Sequence, residues 1–216
     1  MKFAVVGEGL TDFKVIKNLL MGFFKDKNLI VNRLLPKDKE PVGWGNVLKY
    51  LSTQEFQNSF DDPDLFVVVQ IDTNECAEWI EGIKHIGDDA EQLNAFVEQI
   101  KIALIDKINV EFYDTNKNRI IFAICVHEIE CWLLPFNAQQ TTHYSKIVGC
   151  ANTIEQIAKK SGFSIHQKNY QEGKHYDDFS KEMKNNKSLM QKSKLNPSLQ
   201  QFIDTLIITF PIQEEE

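Results

Sequence analysis

Acidic side chains follow three apolar segments that have the composition of buried β-strands. They are Glu8 after residues 2–7, Asp72 after residues 65–71, and Glu128 and Glu130 after residues 119–126. In an open parallel sheet the carboxyl ends of the strands share one edge, and ligands bind there. Clustered carboxylates raise one another's pKa by repulsion, and a hard cation with oxygen ligands relieves that repulsion. The pattern therefore predicts that the four acids gather around a divalent metal, Mg²⁺ or Mn²⁺, at one edge of a sheet.

Three of these acids, Glu8, Asp72 and Glu130, also have a structural interpretation, which stays open at this point. Glu8 can belong to a strand-to-helix turn in which Asp12 stabilises the N-terminus of the helix. Asp72 can be a turn or capping residue, and Glu130 can occupy an exposed position on a helix. His127 is interpreted as a polar neighbour, because no Ser or Cys nucleophile motif accompanies it.

The elements that must position the acids follow from the apolar periodicity. Strands are predicted at residues 2–7, 29–35, 65–71 and 119–126. Helices are predicted from Thr11 as N-cap to Phe23, over about 46–51 and over 88–108, with a helical or turn segment at 128–134 that Pro135 closes. The alternation of strands and helices implies right-handed crossovers and a mainly parallel sheet. The expected fold class is α/β, a mainly parallel sheet flanked by helices.

The pattern changes after the last predicted strand. Residues 1–136 are expected to form the α/β core, and residues 137–216 a mainly helical C-terminal extension packed on that core. Two or three helices are predicted in the extension, including 153–160 and 197–207. The acidic end, residues 214–216, is expected to fray.

Length and composition place the chain among soluble globular proteins. The chain has 216 residues, of which 43% are hydrophobic, and this suits one core with an appendage. No apolar run approaches the ~18 residues needed to span a bilayer, and the N-terminus lacks the features of a signal peptide. A cytoplasmic location without a membrane partner is therefore expected. The four cysteines form no CxxC pair, and buried thiols are favoured, with Cys125 and Cys131 in apolar surroundings.

The net charge bears on the choice of partner. It is −7, from 31 acidic and 24 basic residues, and this argues against a broad, sequence-blind nucleic-acid binder. It does not exclude a nuclease, because a bound cation inverts the charge at a carboxylate site. Lysines concentrate between residues 159 and 194, where a solvated helical face is an equally good interpretation.

Several motifs resemble one known family. Residues 6–12, Val-Gly-Glu-Gly-Leu-Thr-Asp, resemble the first motif of the TOPRIM domain, which topoisomerases, bacterial primases, overcoming-lysogenization-defect nucleases and small ribosomal-RNA maturases share. Asp72-Thr-Asn74 stands where the family has a strand-end DxD. Residues 127–134 are similar to the E-x-E-x-W-L-L segment of a TOPRIM-like group often encoded beside ATPases in phage-defence loci. Residues 173–176 and 196–202 resemble that group's C-terminal segments, so the resemblance touches most of the chain.

The resemblance implies a TOPRIM-like, Rossmann-like sheet and a Mg²⁺-dependent nuclease or related phosphoryl-transfer enzyme that acts on DNA or RNA. The metal ligands that it implies are Glu8, Asp72, Asn74, Glu128 and Glu130. Glu8 would also act as general acid or base, and Lys174 would stabilise charge on a phosphate. The partners implied are nucleic acid and, as further expectations, a separately encoded ATPase and a second copy of the chain in a homodimer.

The chain departs from the family at the second acid of DxD, which is Asn74 here. The lost charge is expected to weaken metal binding or to favour one metal over two, and Glu75 is a substitute whose side chain should point differently. The alternative function is therefore a catalytically weak TOPRIM-fold regulatory or binding subunit that works with a separate ATPase. Trp44, which lies between two glycines, is predicted to pack under a loop, with contact to a ligand as the alternative.

Overall fold

A computed structural model describes residues 1–37, 42–86, 92–162, 164–165 and 172–211. Four strands form one sheet in the order β2-β1-β3-β4, and every neighbouring pair is parallel. The strands are β1 (Lys2–Val6), β2 (Val31–Leu35), β3 (Leu65–Asp72) and β4 (Ile120–Cys125). The predicted α/β class with a parallel sheet is confirmed.

Ten α-helices surround this sheet within the described ranges. The first five are α1 (Leu10–Phe23), α2 (Trp44–Leu51), α3 (Gln54–Asn58), α4 (Leu93–Ile108) and α5 (Val110–Asn116). The others are α6 (Glu130–Asn137), α7 (Cys150–Lys160), α8 (Glu172–Phe179), α9 (Asn186–Lys192) and α10 (Pro197–Thr209). Four helices after residue 137 exceed the two or three that were predicted. Residues 88–91, predicted as the start of α4, and residues 214–216, predicted to fray, lie outside the described residues.

The alternation of side chains along each strand divides the core into two layers. Phe3 and Val5 face one layer, which α1 and the helices from α6 to α10 cover. Ala4 and Val6 face the opposite layer, which α2, α3 and α4 cover. The C-terminal helices therefore share a core with α1, and Trp132 of α6 sits in it with no exposed surface, its Nε1–H donating to Ser198 Oγ at 2.7 Å.

The order of the strands creates a switch point between β1 and β3. The chain leaves β1 through α1 to β2 on one side, and it reaches β3 on the other side through α2 and α3. Crossovers that diverge in this way leave a crevice outside the carboxyl ends of the two central strands. Glu8 and Asp72 lie at those two ends.

Two predicted helix boundaries, at Thr11 and at Pro135, are wrong. Thr11 is not an N-cap, since α1 begins at Leu10 with Gly9 as its cap residue and no side-chain capping bond. Pro135 lies inside α6 and does not close it. Proline cannot donate to the carbonyl four residues earlier, and in this helix Asn196 Nδ2 donates to that carbonyl, the Cys131 oxygen, at 3.3 Å.

A close backbone contact fixes the end of α1 to the C-terminal part. A Cβ atom on Gly22 would lie 1.8 Å from the Met183 carbonyl oxygen. Because overpacking a tight contact destabilises a protein by roughly 1–3 kcal/mol, we expect Gly22→Ala to lower the free energy of unfolding by about that amount in urea titrations. Gly45→Ala is the matched control, since no atom lies within 4 Å of a Cβ there. Equal stability of the two variants would contradict the contact.

The interpretation of Cys131 as a thiol is wrong, because its sulfur is bonded to Cys150. The bond joins α6 to the first residue of α7, whereas Cys76 and Cys125 are free and buried. The apolar surroundings of Cys131 predicted its burial. Its bond to Cys150 could not be predicted, because the two residues are 19 positions apart and local sequence patterns do not show which helices pack together.

The disulfide leads to a measurable expectation. In unfolded, unreduced protein an alkylating reagent should modify two cysteines, and after reduction it should modify four. Since closing a loop of this size stabilises a fold by roughly 2–4 kcal/mol, reductant should destabilise the wild type by that amount and leave Cys150→Ser unchanged. Four modified cysteines without reductant would exclude the bond in the isolated protein.

No helix within the described ranges combines the length and the apolar character that crossing a membrane requires.

Candidate active site

The structure joins Glu8 and Asp72 through direct hydrogen bonds. The Asp72 backbone N–H donates to Glu8 Oε1 at 2.7 Å. Gln70, which is fully buried in β3, accepts from the Glu8 backbone N–H through Oε1 at 3.1 Å and donates through Nε2 to Asp72 Oδ1 at 2.9 Å. A single side chain thus bridges the carboxyl ends of two strands, and it holds the two acids at the same edge of the sheet.

Two further carboxylates complete this group. Asp12, in the first turn of α1, is 6% exposed, and its charge acts on Asp72 more strongly than that of any other acid. Glu130 begins α6 and acts electrostatically on Glu8, Asp12 and Asp72. These four residues, Glu8, Asp12, Asp72 and Glu130, are called the acid cluster below.

Burial and mutual repulsion shift the protonation of the acid cluster. Burial is the largest cause that raises the pKa of Glu8, to about 7, with repulsion from Glu75 and Glu130 adding to it, while backbone N–H groups of Asp72 and Trp44 oppose it. Burial, then the neighbouring carboxylates, also raise the pKa of Asp12 and of Asp72 well above the ordinary value for aspartate. In the described part of the chain, no lysine or arginine is among the strongest influences on these three acids.

This donor set suits a hard divalent cation. All its ligand atoms are carboxylate oxygens, which Mg²⁺ and Mn²⁺ prefer. Glu8, Asp72 and Glu130 are each partly exposed, so solvent reaches the group, while Asp12 lies beneath them. Glu8, Asp12 and Asp72 are desolvated and repel one another, and a bound cation would reduce this electrostatic penalty.

The acid cluster is linked to the C-terminal helices through Tyr176. The Tyr176 hydroxyl of α8 donates to Glu130 Oε1, and burial followed by the charge of Glu130 raises the pKa of that hydroxyl. Sequence reasoning named the segment that contains Tyr176 but assigned no role to the tyrosine. Lys174, the residue that it chose, is exposed on α8. Residues two apart point to nearly opposite sides of a helix, so Lys174 points away from Glu130, which Tyr176 contacts.

Glu128 takes a different direction from Glu130. Its Oε1 accepts from the Ala151 backbone N–H at 2.5 Å, at the N-terminus of α7. A carboxylate there satisfies a free backbone donor and complements the helix dipole. A ligand atom of Glu128 also lies within 4.8 Å of the sulfurs of Cys131 and Cys150. The structure therefore joins Glu8 to Asp72, places Glu130 within electrostatic reach of both, and directs Glu128 to α7.

The DxD-like segment contributes through Glu75 as well as Asp72. Asn74 is exposed, and its backbone N–H donates to the His127 carbonyl at 3.0 Å. Glu75 Oε2 accepts from Trp44 Nε1 at 2.6 Å, and the charge of Glu75 raises the pKa of Glu8. A negative charge thus acts on Glu8 from the residue next to Asn74.

His127, the first residue of the motif at 127–134, contacts Thr73, whose side chain lies on the opposite face of the sheet from that of Asp72. The His127 backbone N–H donates to Thr73 Oγ1 at 2.8 Å, and its ring stands 3.6 Å from that of His85. His85 Nδ1 is 2.7 Å from the Ile86 carbonyl, which can only accept, so Nδ1 donates to it, and Nε2 lies 3.1 Å from Thr73 Oγ1. These bonds shape the loop after β4 on the side away from Asp72.

Asp12 was part of the first motif but was not chosen as a ligand. Its carboxylate interacts with the backbone N–H groups of Gly9 and of Asp12 itself, as the structural interpretation of Asp12 expected. A Cβ at Gly9 would lie 2.9 Å from Asp12 Oδ2, so a side chain at this position would displace the Asp12 carboxylate. The useful signal was its spacing: a residue four positions after Glu8 lies on the first turn of the helix that starts beside the strand end.

Comparison of this chain with protein-family models, curated proteins and solved structures finds no match.

Proposed function

We propose that this protein is a Mg²⁺- or Mn²⁺-dependent phosphodiesterase of TOPRIM-like type that cleaves nucleic acid. The observation that carries the proposal is the meeting of Glu8 and Asp72, through Gln70, with Asp12 and Glu130 beside them. These acids come from three separate segments of the chain, and a shared cation gives a physical reason for their proximity.

The residues have distinct proposed roles. Asp72, Asp12 and Glu130 would hold the cation, which when bound would neutralise charge on a phosphodiester and lower the pKa of water. Glu8, whose pKa is raised to about 7, can accept a proton from water and return it to a leaving oxygen near neutral pH. Tyr176 keeps Glu130 oriented through its hydroxyl.

The alternative, a regulatory or binding subunit that works with a separately encoded ATPase, is favoured by two observations. Asn74 supplies no charge where the resembling family has an acid, and Glu128 is bonded to the N-terminus of α7. A metal bound by fewer ligands would hold the fold or a partner without efficient cleavage.

The two functions differ in a direct assay. Purified protein is titrated with Mg²⁺ and Mn²⁺ by calorimetry and incubated with end-labelled single-stranded and duplex DNA and RNA. Metal binding with cleavage that a chelator abolishes supports the enzyme. Metal binding without cleavage, alone and with a co-encoded ATPase, supports the subunit, and absence of metal binding contradicts the enzyme.

The proposed setting is the cytoplasm, in phage defence or nucleic-acid processing, with a homodimer as the proposed assembly. The disulfide between Cys131 and Cys150 bears on this location, since reducing compartments rarely retain such bonds. To test the location, free thiols are trapped with an alkylating reagent added to intact cells, and the protein is then denatured in the same reagent without reductant. Modification of all four cysteines fits the cytoplasm. Modification of two, with Cys131 and Cys150 protected by their disulfide, fits an oxidising compartment.

A further inference from the structure

Trp44 is positioned by the same backbone that meets the acid cluster. The Gly43 N–H donates to the Glu8 carbonyl oxygen at 2.9 Å, and Gly43 has a φ of 108°, which favours glycine. The next residue, Trp44, begins α2, and its own backbone N–H interacts with the Glu8 carboxylate. The residue that carries the indole ring is therefore itself in contact, through its backbone, with the Glu8 carboxylate.

The ring of Trp44 is held in one orientation. Its Nε1–H donates to Glu75 Oε2 at 2.6 Å, and it stacks on Trp79 with ring centroids 6.4 Å apart and planes inclined by 27°. Both contacts come from the segment that follows Asp72. A ring that is already fixed loses little conformational entropy when a ligand packs against it.

The surroundings of Trp44 differ from those of a core tryptophan. Trp44 is partly exposed, and it packs with Trp79 at the edge of the core layer that α2, α3 and α4 cover. Trp132, in contrast, has no exposed surface and stacks on Phe202. One face of the Trp44 ring is covered by Trp79, and the exposed part of this fixed ring is the surface that a second planar group can reach.

The chemistry of the proposed substrate identifies that group. A net charge of −7 disfavours broad contact with phosphates away from a bound cation, so an uncharged group is the better second point of attachment. A nucleobase stacks on an aromatic ring whatever its identity, whereas bases in a duplex are already stacked on one another. We propose that Trp44 is a stacking site for an unpaired nucleobase next to the phosphodiester at the acid cluster. This inference rests on the proposed function and deepens it to single-stranded nucleic acid.

The test separates the base from the backbone. Binding of a short oligothymidylate, an oligouridylate, the same-length abasic strand and a duplex is measured in Ca²⁺ by anisotropy. Wild-type protein should bind the base-bearing strands roughly 5- to 100-fold more tightly than the abasic strand. Trp44→Leu should abolish this difference, and Trp44→Phe should retain part of it. Both variants keep the backbone N–H that faces Glu8.

Tryptophan fluorescence provides a second measurement in case Trp44→Leu fails to fold. Oligothymidylate should quench the wild type, and Trp44→Phe should lose that quenching while the buried Trp132 still emits. The inference would be overturned if the ratio of affinities for base-bearing and abasic strands were the same in the wild type and in both variants. Tighter binding of the duplex than of the single strands would also overturn it. Base-dependent binding through Trp44 without cleavage would instead contradict the proposed nuclease and leave the stacking site standing.

Discussion

Replacing Glu8 by Gln should lower the Mg²⁺-dependent cleavage rate by roughly 100- to 10,000-fold, the usual contribution of a general acid or base. The change removes the charge and the titrating proton but keeps an oxygen that can accept from the Asp72 backbone N–H. Asp72→Asn should give a comparable loss, because it removes a ligand while Gln70 can still hydrogen-bond to the amide oxygen. Initial rates at saturating Mg²⁺ and Mn²⁺ measure both effects.

Glu128→Gln is the matched control for these variants. It also replaces a strand-end glutamate, but the structure directs Glu128 to the N-terminus of α7. We therefore expect its cleavage rate to stay within a few-fold of the wild type and its stability to fall by roughly 0.3–1 kcal/mol, the value of a carboxylate at a helix N-terminus. A large loss of activity in Glu128→Gln, with Glu8→Gln still active, would contradict the assignment of the acid cluster.

Metal affinity should increase steeply with pH across neutrality. Mg²⁺ must displace the protons that Glu8, with a pKa of about 7, and the two aspartates with raised pKa values retain. Each proton released increases the apparent affinity by up to about 10-fold per pH unit, so a single proton gives up to roughly 100-fold between pH 5 and pH 7. Calorimetric titration over this range, in buffers of different ionisation enthalpy, measures both the affinity and the number of protons.

The metal-free protein should show the opposite dependence in its stability. The pKa of Glu8 is higher in the folded state than the ordinary value of 4.5. Its contribution is therefore fully present below pH 4.5 and is lost as pH rises through about 7, a change of roughly 3 kcal/mol. Acids with lowered pKa values, such as Asp177 and Glu182, act in the other direction but only at more acidic pH.

Urea unfolding in a chelator at pH 5, 6, 7 and 8 tests this dependence. Stability should decline towards pH 8 in the wild type, Mg²⁺ should restore it, and Glu8→Gln should flatten the decline. A wild-type protein that becomes more stable as pH rises from 5 to 8 without metal would show that these acids are ionised at no cost, and the case for a cation would lose its electrostatic basis.

Local patterns in the chain were enough to determine the fold class and the strand ends. Each strand is a short apolar run, and each run is bounded by residues that stop it, so composition over a few residues identifies it. Because parallel strands place their carboxyl ends at one edge, Glu8, Asp72 and Glu130 could be expected together without coordinates. Their role as metal ligands stays a prediction.

Tertiary structure alone decided which other side chains join them. Glu128 and Glu130 are two residues apart, yet the turn into α6 sends one to α7 and leaves the other with the acid cluster. Tyr176 reaches Glu130, and Cys131 pairs with Cys150, because helices distant in the chain pack on the same face of the sheet. Such contacts depend on how helices dock rather than on local periodicity, and a single sequence carries no direct signal of docking.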